Sequence, residues 1–144
     1  MKQTADLQAL LKKAKLLQTH AYAPYSLFRV SAIVTLKNGN QITGVNVENA
    51  AYSAGICAER NALAQVFAQG YQKDDISYLF LITDSKIIGS PCGVCRQFMI
   101  ETMPSEAIIY ISSKNDNNDI KSIISVAVED LLPMAFKPNA LKGN

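Results

Sequence analysis

Charge is scarce in this chain. Only 18% of its 144 residues are Asp, Glu, Lys or Arg, the formal net charge is +2, and no run of Lys or Arg exceeds two residues. A nucleic-acid interface normally carries a basic patch. The segment "LKKAKLL" is too short and too amphipathic to serve as one and reads as a solvated helix face. No polynucleotide partner is expected. Long apolar stretches are missing as well: none approaches the about 18 residues of a membrane span. The start, "MKQTADLQALLKKAKLL", spreads charges among its apolar positions and lacks the pattern of a secretory leader. The expectation is a cytoplasmic protein with no membrane partner. Histidine occurs once and cysteine three times. In a reducing compartment an odd count of thiols argues for metal binding or catalysis over disulfides. Repeats, linkers and low-complexity segments are absent too.

Apolar residues are abundant, at 49%, with a mean hydropathy of +0.07. The length suits a single domain spanning residues 1–144, with about 137–144 as a C-terminal tail. For so short a soluble chain the apolar excess has two readings, surface buried between subunits or a tight α/β core.

Leu7, Leu10, Leu11, Ala14 and Leu17 recur at helical spacing, with Thr4 able to cap that helix and Asp6 suited to its first turn. "FRVSAIVTL" and "QITGVNVE" read as strands joined at Asn38-Gly39, a hairpin signal. A second helix is expected from about Cys57 to Gln69, stopped by Gly70, and a third in "CGVCRQFMIETM" after Pro91. "ISYLFLITD" and "AIIYIS" are apolar strands. "KNDNND" is a polar turn, "IKSIIS" a last short strand and "VEDLLP" a brief helix. Strands separated by helices predict a mixed sheet between helical layers.

The three cysteines stand at the two later helix starts. Cys92 and Cys95 share one face of a helical turn, and Cys57 opens the preceding helix. Helix N-termini carry positive partial charge and unpaired N–H groups, which favour the thiolates that bind metal. Three convergent thiolates match zinc's preference for soft ligands in tetrahedral geometry. A structural zinc site needs four protein ligands, and a catalytic one keeps three plus an open position. The only histidine, His20, ends the first helix with no second ligand beside it, and is left out of the site. Spacing alone leaves two other readings open. Cys92 and Cys95 could be a redox pair, although such a pair needs neither a third thiol nor an adjacent acid. Cys57 could be a buried core thiol.

Glu59 lies two residues past Cys57. Alone it would be an ordinary first-turn glutamate. Beside an open metal position it becomes a candidate general base. Arg60 and Arg96 are nearby cations able to offset the thiolate charge.

"CAERNAL" followed by "PCGVCRQ" resembles the small, homotetrameric, three-cysteine cytidine deaminases. "AYAPYSLF", "NVENAAYS" and "VEDLLPMAF" fit the same family in order and spacing, so the likeness runs from about Tyr22 to Phe136. The resemblance implies a three-layer α/β sandwich, a mixed sheet with helices on both faces. It also implies one zinc per subunit held by Cys57, Cys92 and Cys95, with Glu59 as proton shuttle and Arg60 and Gln97 supporting the sulfurs. In that family hydroxide attacks C4 of cytosine, and cytidine or 2′-deoxycytidine becomes the uridine product plus ammonia, in pyrimidine salvage. Asn46 and Glu48 would hold the sugar hydroxyls, Phe28 would pack on the base, and the Ala58 N–H would meet the pyrimidine O2. Ala50, Tyr52 and Phe136 would reach a neighbouring subunit's pocket in a homotetramer. Without the likeness, Tyr52 and Phe136 read as core aromatics. A related class acts on nucleoside antibiotics such as blasticidin S. A zinc-stabilised interaction domain is the non-enzyme alternative.

Overall fold

Residues 76–83, ISYLFLIT, alternate between two apolar sets, with Tyr78, Phe80 and Ile82 on one face and Leu79 and Leu81 on the other. Successive strand side chains point to opposite faces, so this strand must sit inside a sheet covered on both sides. The computed structural model, which describes residues 4–114 and 119–142, places it there. Five strands, β1 (Val30–Leu36), β2 (Gln41–Val45), β3 (Ile76–Thr83), β4 (Ile108–Ser113) and β5 (Ile124–Ala127), form one sheet in the order β2-β1-β3-β4-β5. β3 and β4 are parallel, and the remaining neighbours are antiparallel.

Three helices complete the layers: α1 (Thr4–Gln18), α2 (Ala58–Ala68) and α3 (Gly93–Thr102). Leu10, Leu11 and Ala14 of α1 pack with Ile33, Tyr78, Phe80, Ile82 and Tyr110. The opposite face buries Ala62, Leu63 and Val66 of α2 and Met99 of α3 with Val34, Leu79, Leu81 and Ile109. The expected mixed sheet between helices on both faces is thus the observed architecture. Among the described residues no helix is long and apolar enough to cross a membrane.

Local differences from the sequence reading have local causes. Thr4 lies inside α1 rather than capping it. The first hairpin turns on Gly39 alone, which has φ +90 and donates its N–H to Leu36 O at 2.9 Å. Residues 28–29 and 46–48 fall outside the strands because side chains interrupt the ladder there: the Asn46 Oδ1 accepts the Val30 N–H at 2.8 Å. The expected strand "IKSIIS" begins instead as a 3-10 turn at Ile120–Ser122, with β5 displaced to Ile124–Ala127. Asp119 drives this by accepting the Lys121 N–H at 2.9 Å, a side-chain bond that competes with strand pairing. Residues 115–118 of the expected turn "KNDNND", and the last two residues of the tail, lie outside the described residues.

Candidate metal centre

Two helix starts meet on the α2/α3 side of the sheet. Cys57 is the N-cap of α2 and Cys92 the N-cap of α3, each with extended backbone and neither using its sulfur to cap the helix. Cys95 lies one turn further on and is fully buried. All three are free thiols whose sulfurs lie within 4.8 Å of one another, and the Cys57–Cys92 separation is 3.9 Å. A tetrahedral ion with bonds of about 2.3 Å to sulfur needs its sulfurs about 3.8 Å apart. The cluster fits zinc. Among the described residues no histidine or carboxylate joins the three sulfurs at that spacing, so the donor set leaves one tetrahedral corner without a protein ligand.

The protons of this cluster are unevenly held. A hydrogen bond from Cys95 brings the Cys57 thiol down to about 5; burial opposes this and Arg60 reinforces it. The same bond, together with burial, pushes Cys95 up. Arg60 reaches the Cys57 sulfur through an Nη at 3.8 Å, while its Nε is buried without a partner.

Glu59 is only 4% exposed. Burial raises its carboxyl from an ordinary 4.5 to about 7; the Cys57 charge adds to this, while hydrogen bonds from its own backbone and from Cys95 oppose it. Glu59, expected as the general base, is a buried acid touching the thiol cluster.

The other expected residues differ in their exposure and in what holds them. Glu48 Oε1 accepts the Tyr25 and Ser26 N–H groups at 3.0 and 3.1 Å, and contact with Ser26 keeps its carboxyl below the usual value. Asn46 uses both ends of its amide within the chain, accepting from Val30 and donating to Phe28 O at 2.8 Å. It therefore holds the backbone on both sides of Arg29, next to the half-exposed Phe28 ring. Ala58 is buried as the first residue of α2. Tyr52 is 96% exposed and Phe136 57%, so neither is a core aromatic of this chain, and Ala50 is exposed beside Tyr52. Gln97 donates its amide to Phe136 O at 2.9 Å, which ties the C-terminal segment to α3. Arg96 donates to Pro91 O, Leu131 O and Ser90 Oγ, bracing the turn from which Cys92 projects. A cavity of about 300 Å³ opens beside Glu48 and Tyr52, and another of about 640 Å³ along α3 has none of the thiols in its lining.

An α/β sandwich that gathers three thiols and a buried carboxyl at two helix starts defines a metalloenzyme of the zinc deaminase type. The profile described as "Cytidine and deoxycytidylate deaminase zinc-binding region" matches residues 4–111. A cytidine deaminase of Halalkalibacterium halodurans is 40% identical over 131 residues, covering 91% of this chain and 94% of that protein. One from Mycoplasma genitalium is 30% identical, covering 92% and 96%. The crystal structure of cytidine deaminase from Burkholderia pseudomallei superposes with a TM-score of 0.81 at 35% identity, covering 89% of this chain and 97% of that one. The chain belongs to the cytidine and deoxycytidylate deaminase family.

The sequence reading missed Gly44, Asn61 and Gln65, which join α2 to β2. A glycine inside a strand pattern is itself a sign of close backbone approach. The two amides, spaced i and i+4 on one helix, gave a weaker hint.

Proposed function

We propose that this protein is a zinc-dependent cytidine deaminase, converting cytidine and 2′-deoxycytidine with water to uridine and 2′-deoxyuridine plus ammonia. The observation that carries the reading is a buried carboxyl, Glu59, set against three thiols that fit one zinc ion. Cys57, Cys92 and Cys95 would hold the ion. When bound, zinc supplies Lewis-acid chemistry at its remaining position, bringing the acidity of water from about 15.7 towards about 7.

The chain's own groups perform the rest. Glu59 accepts one proton of the attacking water and returns it to N3 of the base, which keeps it, then carries the second proton from the new C4 hydroxyl to the departing amino group. A buried carboxyl in contact with the thiol cluster is placed to serve both transfers. The water oxygen becomes the new carbonyl at C4, and the C4–N bond breaks as ammonia leaves. Arg60 offsets thiolate charge at Cys57. Phe28 packs against the base and the Ala58 N–H meets O2. Glu48, ordered by the Tyr25 and Ser26 amides, and Asn46, which also fixes the backbone around Phe28, hold the sugar hydroxyls.

Tyr52, Ala50 and Phe136 would complete a neighbouring pocket in a homotetramer, a reading supported by the exposure of all three. Reduced thiols and the low density of charge support cytoplasmic action on a free nucleoside in pyrimidine salvage rather than on a polynucleotide. The test is the ultraviolet change on adding cytidine to zinc-replete protein. A zinc-dependent change with ammonia release is expected. Turnover of blasticidin S without turnover of cytidine would overturn the substrate assignment.

A further inference from the structure

Cys57 belongs to α2 and Cys92 and Cys95 to α3, so their sulfurs converge only if the start of α2 is held in one place. β2 is an edge strand. Its even-numbered residues turn their backbone groups inward to β1, since the Asn46 N–H reaches Val30 O at 3.3 Å and Asn40 O accepts from Leu36 at 2.8 Å. Alternation in an antiparallel pair then turns residues 43, 45 and 47 outward. All three outward carbonyls are taken by α2 and the residue leading into it. Val47 exchanges backbone hydrogen bonds of 3.0 and 2.9 Å with Ile56, immediately before Cys57. Val45 O accepts from Asn61 Nδ2 at 2.9 Å, and Thr43 O from Gln65 Nε2 at 3.0 Å. Gln65 also donates to Asn61 Oδ1 at 3.2 Å, which orients both amides.

Gly44 lies between those two carbonyls. A Cβ there would stand 2.5 Å from both Ala58 O and Ala62 N, backbone atoms of the first turns of α2. No side chain fits. The missing Cβ sets how closely the helix approaches, and the two amides set its register along the strand.

We propose that Gly44, Asn61 and Gln65 form a rail that positions the metal centre, fixing α2 on the outer edge of β2 so that Cys57 meets Cys92 and Cys95. Asn61 and Gln65 are positioning residues, since the groups they bond are carbonyls of β2. The inference rests on the zinc-binding part of the proposed function and is independent of the substrate. Covering an exposed strand edge would account for the hydrogen bonds alone, but it would not predict any effect on the metal.

The experiment uses the full-length zinc protein. Zinc affinity is measured by chelator competition, and the d–d bands of the cobalt-substituted form report ligand geometry. Asn61→Ala and Gln65→Ala are compared with Val66→Ala, a core substitution on the same helix. Supporting groups around a metal site typically change affinity by about 10- to 100-fold. Each amide variant is expected to weaken zinc binding at least about tenfold and to shift the cobalt bands, while Val66→Ala leaves both unchanged at a comparable loss of Tm. Wild-type affinity and spectra in both amide variants would overturn the proposal. Gly44→Ala is expected to be more severe, and if it yields no soluble protein the amide variants decide. A wild type that binds zinc but leaves cytidine intact would sink the deaminase reading without touching this one.

Discussion

Replacing Glu59 by glutamine keeps the side chain's shape and removes its ability to ionise, which separates two consequences of burying this acid. For turnover, losing a positioned proton carrier typically costs about 10²- to 10⁴-fold, equivalent to about 3 to 5 kcal/mol in the barrier. For stability the sign is opposite. Glu59 is 4% exposed, and burial raises its carboxyl from 4.5 to about 7 in the metal-free protein. Below about pH 4.5 the acid is protonated in both folded and unfolded chains, and burial carries no ionisation cost. As pH rises through the window to about 7, the unfolded chain releases the proton while the folded chain retains it, and stability falls. At about 1.36 kcal/mol per pH unit the loss approaches about 3 kcal/mol. Metal-free Glu59→Gln should therefore match wild type near pH 4.5 and exceed it by about 3 kcal/mol at pH 8, although its zinc form is nearly inactive. Urea unfolding of both proteins with chelator present, across that pH range, measures the difference. A difference that does not grow with pH would refute the burial argument. Near wild-type turnover with zinc retained would refute the proton-carrier role.

Cys57→Ala should lose tight zinc binding and lower Tm, because the ion links two helix starts and ligand binding contributes to folding; metal analysis after dialysis against a weak chelator checks this. His20→Ala should keep zinc at wild-type stoichiometry, since His20 is not part of the thiol group. Asn46→Ala removes two hydrogen bonds of 2.8 Å that hold the Phe28–Val30 backbone. It should cost about 1 to 3 kcal/mol in urea unfolding and raise KM for cytidine, and an unchanged KM would remove Phe28 and its neighbours from the substrate wall.

The reach of the sequence differed between layers of the molecule. β3 was legible because a strand buried on both faces must be apolar at every position, and the helix starts at Cys57 and Cys92 were legible because proline, spacing and the following glycine stop are local signals. The existence of β5 was legible but its start was not, because the Asp119 side chain takes a backbone N–H that an apolar strand pattern assigns to the sheet. Asn46 shows the same limit from another side. Its type and spacing suit a sugar contact, while one bond at each end of the amide also ties backbone on either side of Arg29 and leaves a second lone pair and a second donor for a ligand. A polar residue's identity is local, whereas its partners depend on which strands meet.

Glu59 and Gly44 carry that distinction into the site. Nothing adjacent in sequence says that Glu59 is buried; its raised proton affinity comes from that burial, and the first turns of α2 lie this close to β2 because Gly44 has no Cβ, which would stand 2.5 Å from Ala58 O and Ala62 N. The two residues are therefore linked though fifteen positions apart in the chain. A side chain at Gly44 would both lift Cys57 from its partners and admit water to the carboxyl, lowering its proton affinity towards the ordinary value. Metal affinity and the pH dependence of stability in Gly44→Ala should accordingly move together. In Cys92→Ala, which removes a ligand without shifting α2, metal affinity should collapse while the Glu59-dependent slope of metal-free stability survives, and loss of that slope would show that the ligand cluster, rather than the packing of α2, keeps the carboxyl dry.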